Sequence, residues 1–265
     1  MGEQITEGEK ILQRGFIRSA GKLVWRGLLQ GLTPAHCLVC AAAVQEAASV
    51  CVLCWQKLRI VEEPVCDVMG TPFAYDQGSG AVSAEAVAQA PPWRKARAAV
   101  LFDDTSKHIV HRLKYSDRTE AGLFMARMMA RAGRHLISEA DVIIPVPLHW
   151  TRLWKRRFNQ AAFLAQHIAK TSNKRFAPLL LKRIRATPPQ VGLDAEARRK
   201  NMRKAFAVSA QPKIKGRRVL LVDDVRTTGA TISACVETLN LAGAAHVDVL
   251  TFALVRAPFR PHIEV

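Results

Sequence analysis

The residues best suited to chemistry lie in the segment Val219 to Thr231, VLLVDDVRTTGAT. Four apolar residues, Val219 to Val222, predict a buried strand that delivers Asp223 and Asp224 to its C-terminal end. The chain then turns through Arg226, Thr227, Thr228 and Gly229 into a helix beginning near Ala230 and Thr231. In open α/β sheets ligands bind at that end of the strands. The first turn of a helix offers unpaired N–H groups and partial positive charge, and threonine hydroxyls beside a glycine add donors that close around a phosphate. Two adjacent carboxylates would repel phosphate alone. They suit ribose hydroxyls, which donate to them, or a Mg²⁺ that arrives with the ligand. Together these groups describe a sugar phosphate. An ordinary strand-to-helix turn asks for one capping Asp and fits paired acids followed by TTGAT poorly.

A second constellation is Cys37, Cys40, Cys51 and Cys54, two CxxC knuckles separated by ten residues. Each knuckle sets two thiolates on a tight turn, and two such turns supply the four sulfurs of a structural Zn²⁺. A disulfide pair is the alternative, and it belongs to exported chains, whereas no export signal is evident here. His36 adjoins Cys37, but four cysteines already complete the shell. Cys235 falls on the apolar face of a predicted helix and reads as an inert core thiol.

Charge adds a third signal. The 265 residues carry 39 Lys and Arg against 22 acids, a net charge of +17. Nineteen of those cations lie between Thr151 and Arg218 against only Asp194 and Glu196, and the rest of the chain holds twenty of each sign. So local an excess implies a polyanionic partner, a diphosphate or nucleic acid or both, unless it is a basic face kept for solubility. Arg152 and Arg156 fall on one side of a helical turn, with Arg157 beside them, placed to meet phosphates bidentately. Lys155 and the later cluster Arg198, Arg199, Lys200, Arg203 and Lys204 are candidates for contact with single-stranded DNA. Trp154 and Phe158 would stack on bases there unless they belong to the core. No stretch is long and apolar enough to span a membrane, so the cytoplasm is the expected location and no membrane partner is expected. The start MGEQIT fits the permissive myristoylation pattern without any second membrane signal.

The elements that must position these groups follow from periodicity. Residues 1–33 have apolar positions at helical spacing and predict a helix packing on the body. Residues 34–92 hold five of the six cysteines and end in Gly78, Gly80, Pro91 and Pro92, a separate cysteine module. Residues 93–265 alternate strand and helix. Strands are predicted at Ala98–Phe102, Val142–Val146, Arg218–Val222 and Val247–Leu254. Helical turns are predicted at His108–Tyr115, and full helices at Thr119–Leu136, Phe158–Lys170 and Ala230–Leu241. Met125, Met128 and Met129 form a stripe that reads as core. The expected fold is α/β, a parallel sheet with helices on both faces.

The loop VLLVDDVRTTGAT resembles the phosphoribosyl pyrophosphate motif of type I phosphoribosyltransferases. The stretches HRLKYSDR from His111, PVPLHWTRLWKRRFNQA from Pro145 and TPPQVGLDAEARRKNMRKAF from Thr187 resemble the ComF family, which includes competence proteins. The resemblance spans roughly Ala35 to Val255. It implies that Asp223 and Asp224 hold ribose hydroxyls, directly or through Mg²⁺, and that Thr227, Thr228, Gly229, Ala230 and Thr231 cradle the 5-phosphate. It also implies that the loop after Pro147 meets the diphosphate. The ligand would be phosphoribosyl pyrophosphate or a nucleotide, with transfer to an unidentified acceptor where turnover is retained. DNA uptake on the same fold without turnover is the alternative. The family pattern further implies a second metal subsite, whose ligand positions here are Cys66, Met69, Ser83 and Ala86. One thiolate cannot hold a structural zinc, so that subsite is expected to be stabilised by packing.

Overall fold

Runs of Val, Ile and Leu with no polar partner must be covered on both faces, and here they meet in one five-stranded sheet. The computed structural model describes residues 35–115, 118–148, 158–185 and 205–256. The predicted helix over residues 1–33 lies outside them. Two short strands, β1 (Ala35–His36) and β2 (Ala43–Val44), and two helices, α1 (Val52–Lys57) and α2 (Ala84–Ala88), form the cysteine module. The larger unit contains β3 (Ala96–Leu101), α3 (Asp104–Tyr115), α4 (Arg118–Ala132), α5 (Arg134–Glu139), β4 (Val142–Pro145), α6 (Gln160–Thr171) and β5 (Arg175–Phe176). It continues with a small hairpin, β6 (Leu181–Arg183) and β7 (Phe206–Val208), then β8 (Arg218–Arg226), α7 (Ala230–Leu241) and β9 (His246–Leu254).

The main sheet has the order β3-β9-β8-β4-β5 with every pair parallel. Along β8 the side chains alternate as a pleat requires. Val219 and Leu221 pack with Ile232, Cys235, Val236 and Leu239 of α7. Leu220 and Val222 pack with Leu113, Met125, Met129, Leu164 and Ile168 from α3, α4 and α6. Met125 and Met129 are fully buried, as the stripe predicted. The free edge of β3 would invite pairing with another chain, and the cysteine module blocks it. Val61 N–H donates to the Ala99 carbonyl at 3.0 Å and Leu101 N–H to the Arg59 carbonyl at 2.8 Å, so this short segment runs antiparallel along the edge.

Three elements differ from the periodicity. The single helix expected over Thr119–Leu136 breaks at Gly133, where a Cβ would stand 2.6 Å from the Leu250 side chain, and restarts as α5. The turns expected at His108–Tyr115 are the end of a helix that begins four residues earlier. A reciprocal cap starts it: Ser106 N–H donates to Asp103 Oδ1 and Asp103 N–H to Ser106 Oγ, both at 2.8 Å. The strand expected to stop at Val222 runs on to Arg226 because β9 keeps pairing with it as far as Arg226 and Leu254. The two acids therefore sit within the strand.

Arg94 donates to Glu139 at 2.5 Å and to Asp248 at 2.6 Å. His246 stands near the same two carboxylates, which brings three metal-ligating types together, but the arginine already supplies their positive charge. This is a charged clasp between the start of β3 and β9.

Candidate functional site

In the first half of the cysteine module, Cys37, Cys40, Cys51 and Cys54 bring their sulfurs within 4.8 Å of one another. Cys40 Sγ and Cys51 Sγ are 3.6 Å apart, far longer than a disulfide bond of about 2.05 Å and close to the roughly 3.8 Å edge of a tetrahedron with 2.3 Å zinc–sulfur bonds. Burial works to raise the Cys37 thiol, but N–H donors from Cys40, Cys51 and Val39 outweigh it and hold the group at about 6. Burial and the neighbouring sulfurs push Cys54 up to about 12. Four thiolates so close together need a cation among them, and the donor set fits zinc.

The second half repeats this architecture without the ligands. The Cys37 N–H to Ala42 carbonyl bond at 2.7 Å has its counterpart in Cys66 to Thr71 at 2.8 Å. Cys51 N–H donates to Cys37 Sγ at 3.2 Å, and Ser83 N–H donates to Cys66 Sγ at the same distance. Ala41 and Gly70 hold the equivalent left-handed turn, with φ of 60° and 64°. Cys51 begins α1 as Ser83 begins α2, and there the Ser83 hydroxyl accepts from Ala86 N–H at 3.3 Å in place of binding metal. Cys66, Met69, Ser83 and Ala86 thus occupy the four ligand positions with one sulfur of cysteine type. Hydrogen bonds hold the turn.

In the larger unit, Asp223 and Asp224 leave β8 from opposite faces of the strand, yet their carboxyl groups come close enough to interact. Asp223 follows the Val219 and Leu221 row toward α7, where its charge bears on the buried Cys235. Asp224 follows the Leu220 and Val222 row toward α3, and Lys114 of that helix meets it at 3.2 Å. Asp224 N–H also donates to Asp223 Oδ1 at 2.9 Å. Lys114 was missed from sequence. It stands in the last turn of α3, a helix ending beside β8, and no neighbour in sequence signals that position. Burial first, and the charge of Asp224 second, push the Asp223 carboxyl well above the usual range. Burial likewise pushes the Cys235 thiol up, in keeping with an inert core residue.

Beyond the acids, Thr227 and Thr228 are exposed. Gly229 has φ 75° and begins α7, so the N–H groups of Ala230 and Thr231 belong to the first helical turn. A Cβ on Gly229 would lie 3.3 Å from the Trp93 ring, so the position needs glycine for both its φ and its contact. Pro147 is buried just past β4, at the same sheet end, and Val146 N–H donates to the Val222 carbonyl at 2.9 Å beside the acids. Arg152, Lys155, Arg156, Arg157, Arg198, Arg199, Lys200, Arg203 and Lys204 lie outside the described residues, as does Trp154. Phe158 precedes α6 and packs against Phe163 with centroids 5.7 Å apart, part of the core and not a stacking platform.

The raised Asp223 carboxyl has a measurable consequence. The unfolded chain releases this proton near the ordinary Asp value of about 3.9, while the folded chain keeps it to higher pH. The folded state binds more protons across that window, so stability falls as pH rises through it. Asp223→Asn removes the penalty. At about pH 7 the variant should melt a few degrees above the parent, and the gap should close toward about pH 4, as calorimetry at both values will read. Equal midpoints at the higher pH would contradict the assignment.

The fold and site define a zinc-ribbon protein built on a phosphoribosyltransferase-type sheet. Residues 28–85 match the double zinc ribbon domain and residues 160–262 the phosphoribosyl transferase domain. DNA utilization protein YhgH of Salmonella typhimurium is 31% identical over 80% of this chain and 87% of its own length. Competence protein F of Haemophilus influenzae is 29% identical over 84% of this chain and 97% of its own. The chain belongs to the ComF family. Among solved structures, adenine phosphoribosyltransferase from Thermoanaerobacter pseudethanolicus aligns at 16% identity and TM-score 0.34, over 62% of this chain and 92% of that one. No helix among the described residues is long and apolar enough to cross a membrane.

Proposed function

We propose that the protein binds phosphoribosyl pyrophosphate or a nucleotide together with Mg²⁺ at the end of β8. The observation behind this reading is the juxtaposition of Asp223 and Asp224 with the Thr227–Thr231 turn into α7, a carboxylate pair against an anion cradle. The loop N–H groups and threonine hydroxyls hold the 5-phosphate, and the acids accept from ribose hydroxyls or take Mg²⁺ with hard oxygen ligands. A Mg²⁺ held by Asp223 and Asp224 would supply positive charge to the diphosphate. Lys114 balances the charge of Asp224. In a transfer reaction, a base or amine displaces pyrophosphate at the anomeric carbon, with the loop and acids holding the ribose in line.

Calorimetric titration with phosphoribosyl pyrophosphate, with and without Mg²⁺, tests the assignment. Asp223→Asn with Asp224→Asn should keep the fold and lose at least about 2 kcal/mol of binding, roughly thirtyfold, the scale of charge-assisted hydrogen bonds. Unchanged affinity would remove the ribose assignment.

A second reading is single-stranded DNA binding. It is favoured by the +17 concentrated between Thr151 and Arg218 and by relatives named for DNA utilization and competence.

A further inference from the structure

Arg226 is 3% exposed and is the one buried Lys or Arg among the described residues. Its guanidinium donates through Nη2 to the Met69 carbonyl and stands 5.6 Å from the centre of the Trp93 ring. Nη1 has no hydrogen-bond partner among the described residues. Taking a guanidinium out of water and leaving one nitrogen unpaired is costly, so its position calls for a reason. Glu85 and the Cys66 sulfur, both in the second half of the cysteine module, lie near enough to favour its charged form.

That half has a knuckle but no set of metal ligands. In the first half a zinc would sit against the Cys37–Cys40 turn. In the second, Met69 occupies the place of Cys40, and a cation still arrives at the turn, delivered by the strand that carries the phosphate loop. Trp93 reinforces the connection: its indole N–H donates to the Val68 carbonyl at 3.0 Å, and its ring lies against Gly229. A cavity of about 530 Å³ separates the remaining parts, lined on one side by Met69 and Phe73 and on the other by Thr227 and Thr228. Arg226 and Trp93, in contact with each other, therefore connect the knuckle to the loop and line the open space between them.

We propose that Arg226 replaces the second zinc as the cation holding the Cys66–Thr71 turn, and that through this tether the second half-ribbon positions the Thr227–Thr231 loop. The first clause stands on geometry alone, and the second rests on the phosphate-binding reading of that loop. Arg226 acts through the loop and is a positioning residue.

The test uses the full chain with two variants that loosen the tether from opposite ends, Arg226→Gln and Cys66→Ala. Hydrogen exchange should rise about tenfold or more in residues 66–73 and 225–233 of both variants, with residues 37–54 unchanged and zinc content still about one equivalent. Affinity for phosphoribosyl pyrophosphate with Mg²⁺ should fall about tenfold or more in the same variants. If Arg226→Gln does not fold, Cys66→Ala alone decides, because its substitution is remote in sequence from the loop. Exchange in residues 225–233 at the parent rate would overturn the positioning role. Unchanged exchange in residues 66–73 of Arg226→Gln would overturn the tether. A parent protein that shows the exchange coupling but no affinity for phosphoribosyl pyrophosphate would uphold the tether and defeat the phosphate-loop reading instead.

Discussion

Cys51→Ser should leave the purified chain with essentially no zinc, against about one equivalent in the parent protein. The substitution removes the sulfur 3.6 Å from Cys40 and leaves three cysteines, too few for a closed structural site. In small zinc modules metal binding supplies about 10 to 16 kcal/mol and is inseparable from folding, so the first half-ribbon should unfold with the loss of metal. Its contacts with the larger unit should go as well, including the edge-on packing of Trp55 against Phe124 and the bond from Arg127 to the Ala48 carbonyl. The second half-ribbon is held by its own hydrogen bonds and by Arg226, so affinity for phosphoribosyl pyrophosphate should survive. Elemental analysis beside calorimetry reads both outcomes. Two equivalents of metal in the parent would show that the Cys66 to Ala86 region also binds zinc.

The contrast between the two half-ribbons shows what a sequence makes legible. Paired CxxC motifs are local, so the four zinc ligands could be named from spacing. The carboxylates and threonines of the β8 loop are likewise contiguous, and their order along the chain matches their order in space. Lys114 and Arg226 were not so accessible, because each gains its meaning from a partner more than a hundred residues away. Lys114 ends an otherwise ordinary amphipathic helix, and nothing near it in sequence points to Asp224. Arg226 reads as one more loop cation, yet tertiary structure buries it against Met69. The opposite projection of Asp223 and Asp224 was implicit in the two-residue period of β8, but it required the strand to continue past Val222. Pairing with β9, which lies later in the chain, decides that. The break in the helix after Ala132 has the same origin, since Gly133 is recognisable as a necessity only once Leu250 is seen beside it.

The charge between Thr151 and Arg218 leads to the other large effect, a steep dependence of single-stranded DNA affinity on salt. A net +17 far exceeds what one diphosphate of roughly three or four negative charges requires. Part of it is structural: Arg218 binds Asp141 at 2.7 Å, and Lys174 donates to the Ser138 carbonyl. Arg152, Lys155, Arg156 and Arg157, with the later cluster Arg198, Arg199, Lys200, Arg203 and Lys204, supply nine further cations. Each phosphate contact on a single strand should cost about 0.7 log units of affinity per tenfold rise in salt, so five contacts made together mean a fall of more than about a thousandfold. Fluorescence anisotropy with a labelled oligonucleotide at several salt concentrations measures that slope, and a flat response, or no binding at about 50 mM salt, would leave the charge to solubility or to an acidic protein. Reversing Arg198, Arg199 and Lys200 to Glu then separates two ligands that share a preference for cations. These residues lie in a different segment from the Thr227–Thr231 loop, so DNA binding should drop while affinity for phosphoribosyl pyrophosphate is retained. Loss of both together would mean that a single site serves the sugar phosphate and the nucleic acid.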